Sequence, residues 1–593
     1  MGAARVESWS IIQPRERIRM ERSQPQAAHD RHRRGRRATA AVIVLLVLGA
    51  GLRALAIGHT TPTAVGNMPL PDDAFYYFVL ARNAASGQWP VISGDGVTTT
   101  GFQPLWGATL AALDSLAGGL EARGRISIAQ ALGGLIGLAA GWVIYRLGRK
   151  LTPEPAPAIL ACGAYLLSPQ IVKHNLNGLE TSLAILGLLV LALVFLSFDP
   201  SASTPARAVL VGAASGACLL ARVDLIFFLA AGFAAWTVRL LRRPPDDSRR
   251  RGFAHVGAFL LGTLMAPAAW TWAMASSGAG PLPESGQAIR NLTLLLNDFP
   301  LLGTADSLRE APQVFLRVYG EYAVEFTSAW VRQVPVLLPL TIPLFAALEL
   351  PAAELASVAL AIGASVVVAM AARREKSHLA LALGLWGVYL LAMTVAYTAV
   401  VLGPWFFQRY AAPIGVFFHL LLLVAMWRLL RGTRLAPALL PLVVCGMALG
   451  FLALVWQGSY RWIVAGELAV PDDGFNRAAE YIDRQLPAQA RIGAFSAGLI
   501  AYRVRQPVVA LDGKVNREAR QAMEEGRMFA FVCRSGVEYI ADWEKMIRHL
   551  LVQRSQGWLD GNLLPIAVIE VDDGNDILVQ QVDRWRCPAG AGP

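Results

Sequence analysis

Long, nearly unbroken apolar runs alternate with short polar breaks along most of this chain. Residues 182–198 (SLAILGLLVLALVFLSF) and 411–427 (AAPIGVFFHLLLLVAMW) hold almost nothing that water could solvate. Each approaches the roughly 20 residues a helix needs to cross a bilayer core. Runs of this kind predict helices at about 38–57, 126–145, 156–172, 182–198, 208–221, 225–238, 253–274, 355–372, 379–402, 411–427 and 435–456. That is about eleven spans. Pro104–Gly119 is apolar but short, which predicts an interfacial helix. The segment 334–351 carries Pro335, Pro339, Pro343 and Pro351, so a re-entrant or interfacial course is expected there.

From about Asp472 the pattern becomes mixed. Phe475–Leu486 has helical apolar spacing, and strand-like runs follow at Arg491–Phe495, Val508–Leu511, Val537–Ala541 and Pro565–Glu570. Helical stretches near Arg517–Met528 and Trp543–Gln553 separate them, which predicts a small α/β domain. The expected fold is therefore an all-α polytopic membrane helix bundle with a C-terminal soluble α/β domain. Its parts are a basic disordered cytosolic tail (1–37), a membrane domain (38–457) with large outer loops at 58–125 and 275–354, and an extracytoplasmic domain (458–593).

Composition agrees: 55% of the 593 residues are hydrophobic and 16% charged, against about a quarter charged in soluble proteins. The net charge of +11 invites a nucleic-acid reading, but its distribution argues otherwise. From Gly458 onward there are 16 basic and 18 acidic residues, so the excess lies in the membrane part. With the N-terminus inside, the tail and short cytosolic turns hold 26 Lys and Arg and the outer loops 11, a positive-inside bias. The Arg-rich lead before Ala40–Ala50 is read as flanking an uncleaved first helix, not as a signal peptide. Cys162, Cys218 and Cys445 lie in apolar spans, while Cys533 and Cys587 share the C-terminal segment and could pair there.

Candidate chemistry gathers on the expected outer face. Asp72 and Asp73 open an aromatic helix (Phe75, Tyr76, Tyr77, Phe78) directly after the first span. Acidic residues there could merely cap their own helix, or one desolvated carboxylate could serve as a base. Neighbouring helix positions point about 100° apart, so the two need not share a task. Lys173, His174, Asn175, Asn177 and Glu180 crowd one outer turn. Arg222 and Asp224 are flanked by short apolar runs and should sit sunk below the surface, facing a cavity or each other. Arg290 ends a turn-rich loop, and Arg409 and Tyr410 lie in an aromatic helix start. An arginine there suits a phosphate, to which its fork donates two parallel hydrogen bonds. Asp512-Gly513, followed by Lys514 and Asn516, reads as a turn after a strand.

Seven pieces in order carry a family likeness: Asp72-Asp73-Ala74-Phe75-Tyr76, Gly101-Phe102-Gln103-Pro104-Leu105-Trp106, Asn177-Gly178-Leu179-Glu180-Thr181, Leu220-Ala221-Arg222-Val223-Asp224, Pro281-Leu282-Pro283-Glu284-Ser285, Arg409-Tyr410 with Pro413, and Leu511-Asp512-Gly513. Together they resemble the C-type (GT-C) glycosyltransferase superfamily, in particular its bacterial family-39-like and terminal arabinofuranosyltransferase-like members. The resemblance implies a multi-pass enzyme of the bacterial cytoplasmic membrane, with the N-terminus in the cytosol. Such an enzyme moves a hexose or pentose from a polyprenyl-phosphate donor to an extracytoplasmic glycan, lipid or protein acceptor. It further implies that Asp72 or Asp73 is the base and that Arg409 and Tyr410, with Lys173, His174, Arg222 or Arg290, hold the donor phosphate. Gln103, Glu180 and Asp224 are then substrate-positioning. Family members often carry a basic residue near the end of the Pro-Leu-Pro loop, where this chain has Ile289 and Arg290.

Such chemistry requires no cofactor, although paired carboxylates could instead hold a divalent ion. The expected partners are the lipid-linked donor, its acceptor and membrane lipids, and no nucleic acid. A transporter or flippase of a lipid-linked sugar is the alternative. It predicts ionisable residues spread through the spans and repeated broken helices, whereas only Arg222 and Asp224 lie at depth. A non-catalytic scaffold for the C-terminal domain would leave the Asp72-Asp73 and Arg409-Tyr410 pairs without a task.

Overall fold

The computed structural model describes residues 14–59, 70–280, 283–297, 312–373, 378–431, 433, 445–446, 448–450, 452–456, 458–464, 474–552, 561–571 and 576–587. Helix α1 runs over Pro14–Gly58 and so begins within the stretch expected to be a disordered tail. The segment after α1 carries α2 (Asp72–Ala85) and α3 (Pro104–Leu116). Helix α3, at 13 residues, is too short to span.

The bundle continues through α4 (Ala122–Leu151), α5 (Pro155–Leu167), α6 (Pro169–Asn175), α7 (Thr181–Ser197), α8 (Pro205–Ala221), α9 (Ile226–Leu241) and α10 (Asp247–Ser276). After α11 (Ser285–Leu296) come α12 (Pro312–Val331), α13 (Leu338–Ala347), α14 (Leu350–Arg373), α15 (His378–Val395) and α16 (Phe407–Arg431). Among the described residues, seven helices are long and apolar enough to cross a membrane, or nine if each of two bent pairs is one span. The chain is a multi-pass membrane protein. Two further apolar helices, α7 and α8, have 17 residues each. The expected span at 435–456 lies largely outside the described residues.

The proline-rich 334–351 segment is half of a bent pair: Val318–Val331 and Pro335–Ala347 meet at 89°. Pro335 at the break lacks the N–H that would continue the first helix. The second bend, 64° between α5 and α6, falls at Ser168-Pro169 and swings Lys173 and His174 out of the line of α5.

The C-terminal domain is a five-stranded sheet in the order β2-β1-β3-β5-β4. Strands β1 (Ile492–Ala494), β2 (Val508–Ala510) and β3 (Tyr539–Trp543) are parallel, while β5 (Ile577–Val582) runs antiparallel to β3 and β4 (Leu563–Ile569) antiparallel to β5. Its helices are α17 (Phe475–Gln485), α18 (Ala497–Arg503), α19 (Arg517–Glu524) and α20 (Met528–Arg534). Cys533 and Cys587 form a disulfide within it.

This domain docks on the segment that carries α2 and α3. Phe75, Phe78, Trp106 and Ile126 share one buried core with Phe475, Ile482, Ile492, Ile500 and Val508. The open edge of β2 is covered by the loop after α2. Gly94 donates its N–H to the Val508 carbonyl at 2.7 Å, and Ala510 donates to Ser93 Oγ at 3.1 Å. Capping an edge strand this way removes a template for unwanted pairing.

Candidate active site

The two adjacent aspartates have different partners. Pro71, not an aspartate, sits at the N-cap of α2, and neither carboxylate caps its own helix. Asp72 turns to the C-terminal domain and accepts the first-turn N–H groups of α18, from Gly498 at 3.3 Å and Leu499 at 2.8 Å. The approach is tight enough that a Cβ on Gly498 would collide with the Asp72 carbonyl. Burial raises the Asp72 carboxyl to about 6, an effect that Lys514 and the Leu499 N–H only partly offset.

Asp73 lies between two cations. Arg409 Nη2 donates to one carboxylate oxygen at 2.7 Å and Lys514 Nζ to the other at 2.9 Å. Burial alone would raise its pKa, but Lys514 and Arg409 together hold it well below the usual carboxylate range. Lys514 also pairs with Asp512 at 3.0 Å, and its Nζ lies 5.2 Å from the centre of the Tyr76 ring. Tyr76 in turn donates its hydroxyl to Asp512 at 2.9 Å. Burial favours the neutral lysine, yet Asp73 and Asp512 outweigh it and push Lys514 above its ordinary value.

The Asp512-Gly513 turn is what presents this lysine. The Asp512 carboxylate accepts the Lys514 N–H at 2.9 Å, and Gly513 takes φ +75°, the left-handed region that favours glycine. From the other side, Gly101 comes so close to the Lys514 carbonyl that no side chain would fit.

Arg409 is positioned by aromatic packing. Its guanidinium stands 4.4 Å from the Phe406 ring centre and 5.2 Å from that of Tyr410. Its buried Nε has no hydrogen-bond partner among the described residues. Behind it, Arg222 Nε donates to Asp224 at 3.0 Å, and the Arg222 guanidinium reaches the carbonyls of Arg409 (3.3 Å) and Tyr410 (3.4 Å). Tyr397 donates to Asp224 at 2.9 Å and stacks on Tyr410 at 4.4 Å. The sunken Arg222–Asp224 pair thus braces the start of α16 and turns inward to its backbone.

A cavity of about 40 Å³ is lined by Asp73, Tyr76, Tyr77, Gln103, Glu180, Arg409, Tyr410 and Lys514, among others. Glu180 accepts the Tyr77 hydroxyl at 3.0 Å, and that hydroxyl accepts the Gln103 N–H at 2.9 Å. The remaining sequence candidates stand apart. His174 is buried against Gln333 Oε1 at 2.7 Å, Lys173 is exposed, and Ile289, not Arg290, lines the cavity from α11. Pro281 and Leu282 lie outside the described residues. Lys514 is the residue that sequence reasoning passed over. Its only signal was a lysine after an Asp-Gly turn, 441 positions from its partner.

Asp72 and Asp73 turn to different partners. No cluster of three or more His, Cys, Asp or Glu suited to a metal ion occurs among the described residues.

A family model described as a domain of unknown function (DUF8728) matches residues 465–581, which is the C-terminal domain. No curated protein sequence matches the chain. Among solved structures, the chain is similar to an archaeal oligosaccharyltransferase, AglB from Archaeoglobus fulgidus, in complex with an inhibitory peptide and a dolichol-phosphate. The two are 14% identical with a TM-score of 0.49, over 93% of this chain and 75% of that one. It is also similar to ArnT from Cupriavidus metallidurans bound to undecaprenyl phosphate, at 13% identity and a TM-score of 0.49, over 94% of this chain and 99% of that one.

Proposed function

We propose that this chain is a GT-C-type integral-membrane glycosyltransferase. It moves a sugar from a polyprenyl-phosphate donor to an acceptor hydroxyl outside the cytosol, with Asp73 as the base. The observation that carries the reading is the Asp73 carboxylate held between Arg409 and Lys514. A carboxylate with two cations on it is a poor base, but the same cations suit a phosphate. When the donor phosphate takes Arg409 and Lys514, Asp73 loses its partners, and its affinity for a proton rises. Donor binding therefore switches the base on.

The reaction then needs little else. The acceptor oxygen attacks the anomeric carbon, and the carbon–oxygen bond to phosphate breaks. The electron pair leaves with the polyprenyl phosphate, and the acceptor proton passes to Asp73. Arg409 and Lys514 neutralise charge on the departing phosphate, and the Arg409 Nε, without a partner among the described residues, offers a further donor. No strong general acid is required, because the phosphate is already a good leaving group. Glu180, Tyr77 and Gln103 line the inner wall and position the substrate.

The test is turnover in liposomes. Purified protein is supplied with a panel of polyprenyl-phosphate sugars and an envelope-glycan acceptor extract, and released polyprenyl phosphate is followed by mass spectrometry. Donor carried across the bilayer intact, with no release, would replace the transferase with the flippase.

A further inference from the structure

The Asp73–Lys514 pair is reached from two sides. The cavity described above holds about 40 Å³, well under the ~300–1,000 Å³ of ordinary ligand sites. Its lining cations, Arg409 and Lys514, suit phosphate oxygens. On the other side lies a groove of about 680 Å³ that also ends on Asp73 and Lys514, within the ~300–1,000 Å³ of ordinary ligand sites.

The groove's walls have different origins. Trp543 and Lys545 come from the C-terminal domain, while Tyr322 and Glu325 come from α12 and Trp405 from the start of α16. Trp405 is 55% exposed, and the Trp543 ring is held against Phe475 at 5.1 Å between centroids. Beside the aliphatic Ile289, Leu292, Leu296 and Met546, flat aromatic rings set among a lysine, a glutamate and Asn297 make a wall with apolar faces and polar rims. A prenyl tail would bury that lysine and glutamate unpaired against hydrocarbon. A saccharide meets both kinds of surface at once, with C–H faces on the rings and hydroxyls on the charges.

We infer that this groove is the acceptor site and that it takes the hydroxyl-rich end of an oligosaccharide, delivering one hydroxyl to Asp73 while the donor phosphate occupies the Arg409 side. The inference rests on the transferase reading for its chemistry, but the binding it predicts can be measured without turnover.

The full-length protein in lipid nanodiscs is titrated with three neutral probes, arabinohexaose, mannohexaose and maltohexaose, by calorimetry and tryptophan fluorescence. At least one binds saturably. Trp543→Ala weakens that binding at least tenfold, Trp543→Phe keeps most of it, and Lys545→Ala weakens it severalfold. Trp585→Ala, at a 98% exposed tryptophan that does not line the groove, binds as wild type. If Trp543→Ala does not fold, Trp405→Ala tests the opposite wall with the same tenfold expectation. The inference is overturned if no probe binds, if both wall variants bind as tightly as wild type, or if undecaprenyl phosphate competes for the saccharide site. Saccharide binding as described, without any release of polyprenyl phosphate from donor by wild type, would sink the transferase reading and leave the groove's ligand class standing.

Discussion

Two aspartates adjacent in sequence separate in role because their side chains leave the helix about 100° apart. Asp73 meets two cations, and Asp72 meets two backbone N–H groups of another domain. Replacing Lys514 by alanine takes from the half-buried Asp73 one of its two cations and from the buried Asp512 its lysine partner. Breaking such a pair costs about 3–5 kcal/mol. Lys514→Ala should therefore lower the melting temperature and weaken undecaprenyl phosphate binding at least tenfold, measured on the same nanodisc samples. Binding unchanged in a folded Lys514→Ala variant would remove the lysine from the phosphate site. Asp73 and Arg409 were legible in the sequence because each sits in a short aromatic segment where a charge is costly. Lys514 was not, since a lysine after an Asp-Gly turn is ordinary. Only the fold brings that turn to Asp73.

At the scale of elements, α2 and α18 meet end to end through Asp72 and Gly498. A methyl group at Gly498 would strike the Asp72 backbone carbonyl, and such overpacking costs roughly 1–3 kcal/mol. Gly498→Ala should thus lower the melting temperature of the C-terminal domain while leaving the apolar bundle helical by circular dichroism. The same junction is sensitive to pH. Asp72 is raised from 3.8 to about 6 and Asp542, which holds the N–H groups of Phe495 and Ser496, to about 7, both chiefly by burial. A carboxyl with a raised pKa stabilises the folded state below its unfolded value and loses that contribution as pH rises through the folded value. Asp512, also raised by burial, adds in the same direction. Asp73, held low by its cations, changes only below about pH 4, and Lys514 titrates far above neutrality. The melting temperature of the docked domain should therefore fall between pH 4 and pH 7, and the slope should flatten in Asp542→Asn. A slope unaffected by that change would remove Asp542 from the junction. The strands β1 to β4 were legible from short apolar runs between turn residues. Strand β5 and helix α18 were not: β5 is flanked by acidic residues and carries Gln580 and Gln581, and the seven residues of α18 are too few to show a period.

For the whole molecule, apolar runs gave the bundle and the change of pattern near Asp472 gave the second domain. The span count was harder, because a proline bend divides one apolar stretch into two directions and composition does not record an angle. The arrangement that matters most was not local at all. The C-terminal domain and a membrane helix each contribute one cation to a carboxylate on α2, so the C-terminal domain is part of the proposed site. The domain therefore lies on the same side of the membrane as α2, and the proposed reaction requires that side to be the outer one. The Cys533–Cys587 disulfide fits an oxidising compartment. A membrane-impermeant thiol reagent applied to intact cells should label both cysteines only after reduction. Labelling that needs permeabilised cells would place the domain inside.

The most direct measurement compares Asp73→Asn with Asp72→Asn in the liposome turnover assay, scored as polyprenyl phosphate released per enzyme. Loss of a general base typically costs about 10²–10⁴-fold in rate. Asp73→Asn should fall by at least 10²-fold in kcat with the protein folded. Asp72→Asn should retain most of its kcat when the domain remains docked, with its deficit showing in thermal stability. Turnover that survives in Asp73→Asn and is abolished in a folded Asp72→Asn would contradict the account and make the other aspartate the base.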